Sequence, residues 1–255
     1  MKAGGFVGAV AAGTFSTVVV LVAWELLGRY FEVKPILLPL PTQILAELGA
    51  EWWWYLGHAG YTLMTTFIGF VLSVVGGVLI GALVVSSRLC ERFVYPMIVA
   101  FNSVPKVAVA PLFVIWLGTG AEPKVAIAFL IAVFAVIVDT IHGLRSVPPD
   151  VMDLGRVLRG RWYDVFFKVK LPSALPSIIA GMKVAISLAL VGAIVGEFVS
   201  SQRGLGYVIM SAQGTFDTPR VFAALFILAL LGMLLYGALV WLERHATPWR
   251  VPTEH

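Results

Sequence analysis

The chain has 255 residues, of which 60% are hydrophobic and 13% charged, with a formal net charge of +4 and a mean hydropathy of +0.94. Soluble domains run at about 45–50% apolar, so this composition excludes an ordinary water-soluble fold and leaves a membrane protein. A single cysteine, Cys90, excludes an intrachain disulfide and a cysteine-based metal site, and the absence of a G-x-x-x-x-G-K-[ST] loop removes that route to nucleotide binding.

The first apolar run, 14–31, follows Lys2 and so has the opening of a cleavable signal. It is longer than a typical signal core, and Glu25 and Arg29 read as an interfacial boundary, so an uncleaved first helix is expected. Residues 35–57, "PILLPLPTQILAELGAEWWWYLG", come next. Pro39 and Pro41 make an extended entry, Thr42 with Glu47 nearby opens a short helix, and Trp52, Trp53, Trp54 and Tyr55 form an interfacial aromatic belt. Aromatic gating of a ligand is the rival reading of that belt. A second span, 62–86, is uninterrupted and long enough, at about 1.5 Å per residue, to cross a hydrocarbon core of about 30 Å.

The third span, 93–117, carries Pro96, Pro105, Lys106 and Pro111. Proline lacks an amide proton and constrains the residue before it, so Pro105 is expected to break this helix. Broken helices at membrane depth are tolerated where they are packed in protein or face a wet cavity. Lys106, just after the break, either faces an anionic solute or caps the carbonyls that the break frees. The fourth span, 124–143, bears Asp139 near one end, where pairing with Arg145 is expected.

Between the fourth and fifth spans lies a polar island, "DLGRVLRGRWYDVFFKVKLPSALP", residues 153–176. Pro148 and Pro149 can start a helix with Asp150 and Asp153 near its positive end. Val151, Leu154, Val157 and Leu158 then fall at helical spacing opposite Arg156 and Arg159. After a bend at Gly160, a second amphipathic piece over about 161–170 places Trp162, Val165, Phe166 and Val169 on one side and ends at Leu171-Pro172. Such a pair of short helices can bury a narrow aromatic face in a partner's groove; equally, basic residues can hold the loop on anionic headgroups.

The fifth span, 174–199, repeats Gly181, Ala185 and Ala189 every four residues, and Gly192 and Gly196 renew the spacing. Small residues at that period let helices approach closely, and this face is expected at or near a dimer seam and the translocation path. Lys183 on the same helix can snorkel to the interface. Glu197, toward the other end, is a functional candidate by its depth; its structural reading is a carboxylate bonded to the amides around Gly204 and Gly206. A sixth span covers 220–242.

Eleven basic residues (Lys2, Arg88, Arg92, Arg145, Arg156, Arg159, Arg161, Lys168, Lys170, Arg244 and Arg250) flank one side of this arrangement. Only Arg29, Lys34, Lys124, Arg203 and Arg220 flank the other. The excess predicts that both termini and the island are cytoplasmic. It also accounts for the basic isoelectric point, so nucleic-acid binding gains no support.

The island resembles the EAA loop of permease subunits of binding-protein-dependent ABC importers, in which E-A-A, G, I and L-P recur at fixed spacing. Asp153-Leu154-Gly155, Arg159, Val169 and Leu171-Pro172 keep that spacing, with Asp153 in place of Glu and Arg159 in place of Gly. "NSVPKVAVAPLFVIWLGTG" (102–120), "GEFVSSQRGLGYVI" (196–209) and "LLPLPTQI" (37–44) are similar to segments of the nitrate, sulfonate, taurine and bicarbonate branch. The resemblance implies an all-α polytopic membrane protein of six helices, with residues 1–61 as a first helix and outer segment, 62–243 as the importer's transmembrane domain, and 244–255 as a cytoplasmic tail. It implies a homodimer driven by two copies of a separate ATPase, which dock on the loop and alone carry ATP and Mg. An extracytoplasmic binding protein would deliver a small anion or zwitterion, with a pyrimidine vitamin precursor as the alternative cargo. The chain itself would hold no cofactor and no metal and carry out no catalysis. A secondary carrier is the competing class, which the lack of internal repeats and the docking loop disfavour.

Overall fold

A computed structural model describes residues 3–157 and 161–247, and within them every regular element is helical. The helices follow the apolar runs. α1 (Ala3–Tyr30) is followed by a short α2 (Pro41–Ala50), a long α3 (Trp52–Ser86) and α4 (Arg88–Asn102). A 3₁₀ turn (Lys106–Val109) leads into α5 (Ala110–Leu117), and α6 (Glu122–Arg145) precedes α7 (Pro149–Val157). α8 (Trp162–Val165) widens into a π-turn (Phe166–Lys170) and continues as α9 (Leu171–Ser200). α10 (Leu205–Gly214) and α11 (Thr218–Ala246) complete the order.

Among the described residues α3, α6, the continuous helix 162–200 and α11 are each long and apolar enough to cross a membrane, and α4 with α5 forms a further pair bent by 83°. That bent pair is a crossing and not a loop that returns to its own side. Its start is tied to the last turn of α6 by the Arg145–Glu91 ion pair at 2.6 Å. Just beyond its end, the Thr119 carbonyl accepts from Lys124 in the first turn of α6, at 2.7 Å. The pair therefore runs antiparallel to α6 from one end of the bundle to the other. α1, with 28 residues, has the length for a sixth crossing.

The centre of the bundle is α6, sandwiched between α3 and α9. Lipid tails are as apolar as leucine, so helices in a bilayer associate through close packing more than through hydrophobic exclusion. Small residues supply the closeness. A Cβ built on Gly77 would stand 2.6 Å from Val136 Cβ, and one on Gly81 2.8 Å from Thr140 Cβ. On the other side, a Cβ on Gly192 would lie 2.6 Å from Ala128 Cα, and one on Gly181 2.8 Å from Asp139 Cβ. Phe70, Ala128, Ala132, Val136, Ala185, Ile186, Ala189, Ala193 and Leu239 form the central apolar cluster.

This packing gives the small-residue face of α9 a neighbour within the chain. Gly181, Ala185 and Ala189 are buried, facing α6 of their own chain. Two charged residues also find partners that differ from expectation. Arg145 pairs with Glu91 and not with Asp139, because six residues of helix carry Asp139 round to a different face. Lys183 does not snorkel but meets Glu243 of α11 at 2.8 Å. The short helix expected at Thr42 and Glu47 forms as α2, and its first turn is held by other partners. The Leu40 amide donates to the Gln43 side chain at 3.0 Å, Thr42 donates to Glu25 of α1 through its amide and hydroxyl, and Glu47 accepts from Arg220 at 3.0 Å.

The seam between α6 and α9 yields a quantitative expectation. Gly192→Val inserts a branched side chain where backbone now sits 2.6 Å from a virtual Cβ, and overpacking of this kind costs about 1–3 kcal/mol or more. Thermal unfolding of the detergent-solubilised chain should show a lower midpoint for Gly192→Val, with Gly237→Val, at a glycine with open space around it, close to wild type.

Candidate functional site

Three groups of the singled-out residues occupy three levels of the bundle. At the end where α6 finishes, the chain turns through α7 toward α8; the side chain of Leu154, the surroundings of Gly155, and all of Arg159 and Gly160 lie outside the described residues. α7 is a short helix with Asp150 in its first turn, and Asp153 is exposed on it. The expected stop at Leu171-Pro172 does not occur. Pro172 sits in the first turn of α9, and the helix passes through it by way of the π-turn. A proline ring clashes with the carbonyl four residues earlier in a regular helix, and a π-turn, with its longer i to i+5 closure, opens the space.

The aromatic face differs as well. Trp162 and Phe166 share a face as i, i+4 spacing gives, but the expected row of Trp162, Val165, Phe166 and Val169 divides between surface and interior. Trp162 is 64% exposed and stacks on Phe166, with ring centres 5.5 Å apart and planes 15° apart. Phe166 and Leu171 turn inward against Leu144, Ala174 and Ile178. Tyr163 and Phe167, which the sequence reading passed over, are exposed instead. Phe166 is thus the anchor of an aromatic knob whose outer surface is Trp162, Tyr163 and Phe167. Lys168 and Asp164 form an ion pair at 2.6 Å along its side.

At mid-height, α4 ends at Asn102 and Pro105 holds φ −67° and ψ 96°, so the chain turns where the sequence predicted a break. Lys106 reaches back across it. Its Nζ donates to the Asn102 carbonyl at 3.2 Å and to Asn102 Oδ1 at 2.7 Å, and lies 4.6 Å from the centre of the Phe134 ring. A cation on the carbonyls that close a helix is favourable both as a hydrogen bond and against the helix dipole. Lys106 therefore has local partners from α4 and α6.

At the far end, Glu197 is 1% exposed and organises the turn from α9 to α10. Its carboxylate accepts from Thr62 Oγ1 at 2.9 Å and from the Gly206 amide at 2.7 Å. The Thr62 oxygen in turn accepts from the Leu205 amide at 2.8 Å, and His58 Nδ1 accepts from the Gly204 amide at 3.0 Å, which puts the imidazole proton on Nε2. Three amides at the start of α10 are thereby satisfied by side chains of α3 and α9. Gly204 has φ +100°, a conformation open to glycine, and a Cβ there would overlap the Glu197 carboxyl group.

Lys124, which the sequence reading counted only as a flanking charge, is fully buried beside this cluster. Its Nζ donates to the carbonyls of Thr119 and Ser200, joining the ends of the bent pair and α9. Buried ionised groups are tolerated where hydrogen bonds replace water, and both Glu197 and Lys124 meet that condition. The pattern that could have exposed Lys124 is its place immediately after Glu122-Pro123, where a helix starts and water-facing charge is expected, with its stem directed back along the helix.

The sequence profile of the family described as "Binding-protein-dependent transport system inner membrane component" matches residues 69–248. The chain is 37% identical over 238 residues to the formylaminopyrimidine transport permease protein ThiX of Halalkalibacterium halodurans, covering 93% of this chain and 95% of that protein. It is 32% identical over 243 residues to the putative aliphatic sulfonates transport permease protein SsuC of Bacillus subtilis, covering 93% and 87%. Two structures of the MetNI methionine ABC transporter in inward facing conformations superpose with a TM-score of 0.68, covering 76% of this chain and 97% of theirs. At 19% and 20% identity they speak for the fold alone.

The far-end cluster predicts a graded response at Glu197. Glu197→Gln keeps an acceptor for Thr62 and Gly206, whereas Glu197→Leu strands buried donors at about 1–3 kcal/mol each. Thermal melts should place Gln near wild type and Leu well below it. Equal melting of the two variants would show that the bonds to Glu197 do not hold the turn.

Proposed function

The chain belongs to the family of binding-protein-dependent transport system inner membrane components, and from that premise we propose a permease that pairs with a second copy of itself to enclose the path of a small solute. Membership makes it a multi-pass inner-membrane subunit of an ABC importer, a class that works with an ATPase and a binding protein. In our reading residues 62–243 are the transport domain, 1–61 an added helix and outer segment, and 244–255 a tail. The excess of basic residues around the knob supports a cytoplasmic position for that end and for both termini. Two ATPase subunits, carrying ATP and Mg, dock there; the chain itself breaks no substrate bond and binds no cofactor.

The observation that carries this reading is the knob. Trp162, Tyr163 and Phe167 expose aromatic surface on a helix that is continuous with the most buried crossing of the bundle. Exposed aromatics at the centre of a contact are the residues that most often dominate binding, and a helix running unbroken into α9 transmits displacement of the knob to the pathway. Docking is tested by Trp162→Glu. Co-purification of the ATPase from detergent should fall at least tenfold while the melting temperature of the permease is unchanged, since Trp162 is 64% exposed. Full retention of the ATPase would remove the docking role.

For the cargo, a pyrimidine vitamin precursor ranks first and a small anion or zwitterion such as nitrate, a sulfonate, taurine or bicarbonate second. Similarity across nearly the whole of a formylaminopyrimidine permease supports the first. The second rests on the sulfonate relative and on Lys106, whose ammonium is already engaged by Asn102 and Phe134. Lys106→Met separates the two. If the lysine closes the helix break, the variant melts lower and its flux per folded transporter is kept. Lost flux at an unchanged melting temperature would restore the anion reading.

A further inference from the structure

Between α1, α2 and α11, at the end of the bundle opposite the aromatic knob, runs a groove of about 370 Å³ whose lining side chains are all apolar. We propose that this groove seats one acyl chain of a phospholipid from the leaflet at that end, and that the lipid completes the seam between α1 and the rest of the bundle. The proposal is independent of the solute carried and needs only that α1 and α11 cross the membrane.

Polar bonds at the helix ends build the groove. The Thr42 amide and hydroxyl at the start of α2 donate to Glu25 of α1 at 3.1 and 2.9 Å, and Trp24 meets Phe222 of α11 with ring centres 5.9 Å apart. α2 is fastened in turn to α11, where Glu47 accepts from Arg220 at 3.0 Å. Thr218 Oγ1 donates to the Ile36 carbonyl at 2.7 Å, which ties the segment before α2 to the same helix. Three helices held in this way keep the groove in place before anything enters it, and a preformed site loses little on binding.

Depth identifies what fills it. Trp24 and Leu21 lie about 9 and 14 Å in from the end of α1 at Tyr30, and Phe222 and Phe226 about 6 and 12 Å in from the start of α11 at Thr218, at about 1.5 Å per residue. Half of a hydrocarbon core is about 15 Å, so the groove stands within one leaflet, where the surrounding medium is acyl chain. Water finds no polar partner on such a lining, and an empty groove forfeits the contacts its walls would make. Leu45 of α2, 63% exposed, marks the open side.

Size narrows the occupant further. At about 30 Å³ for each water-sized group the groove holds about a dozen methylenes, most of one chain. A helix about 10 Å across fills about 420 Å³ in a single turn, more than the groove provides, so a crossing of a second copy does not fit inside it.

The test uses the permease with its ATPase, stripped of lipid in detergent and titrated with dioleoyl phosphatidylethanolamine, with bound lipid counted by native mass spectrometry. Leu45→Trp, which fills the groove from α2, should weaken the tightest-bound lipid about tenfold, and Leu21→Trp, which fills it from α1, should do the same. Leu79→Trp, the same change at an exposed position of α3, should bind as wild type does. Added lipid should raise the melting temperature of wild type and of Leu79→Trp by mass action, with little effect on the two groove variants. Lipid binding by both groove variants at wild-type strength would overturn the proposal. So would conversion of Leu45→Trp from dimer to monomer with lipid binding unchanged, since the groove would then seat side chains of a second copy.

Discussion

Everything in this molecule depends on how closely α6 can be approached from both sides. In water a bundle gathers because apolar side chains leave solvent; in a bilayer that drive is absent between helices, and contact distance takes its place. Gly69, Ser73, Gly77 and Gly81 on α3, and Gly181, Ala185, Ala189, Gly192 and Gly196 on α9, remove the side chains that would hold α6 away. The three helices then pack as one body. α11, with 22% of its apolar window buried against 50% for the helix that includes α9, lies at the periphery and is fastened by particular contacts, Lys183–Glu243 at one end and Arg220 with Glu47 and Glu51 at the other.

The three levels described above are consequences of that central body. Because α6 and α9 pack side by side along their lengths, Lys124 is brought to the Ser200 carbonyl, and because α3 packs on the same body, Thr62 is brought to Glu197, two associations between residues far apart in sequence. The same register carries Leu144 to Ala174 and Ile178, which gives Phe166 a floor to pack on. Lys106 is placed over Phe134 by the side of α6 that α3 and α9 leave open.

Much of this was legible in the sequence because hydropathy and proline act locally. The six apolar runs, the break at Pro105, the start of α7 at Pro149 and the bonding of Glu197 to the turn around Gly206 follow from chemistry within short stretches of chain. What was not legible depended on partners distant in sequence or on a change of helical period. The small-residue face of α9 announces a close neighbour without saying whether it is α6 or another subunit, and Arg145 finds Glu91 only once α4 has been folded back. The division of roles between Phe166 and Phe167 was hidden because the floor under Phe166 is built from Leu144, Ala174 and Ile178, and the passage of the helix through Pro172 was hidden because a reading at 3.6 residues per turn does not register five-residue closure.

The unbroken helix from Trp162 to Ser200 has a mechanical meaning. Its 39 residues span about 58 Å at about 1.5 Å each, and from Ala174 to Ser200 it lies against α6, where small residues permit no slack. A rod held along most of its length is a cantilever: load on the free tip bends the stretch outside the clamp, and what passes the clamp moves α6 and α9 together. The π-turn and the prolines at 172 and 176 lie where the free stretch meets the clamp. The end opposite is the Glu197 turn, whose three bonded amides tie α10 to the same body.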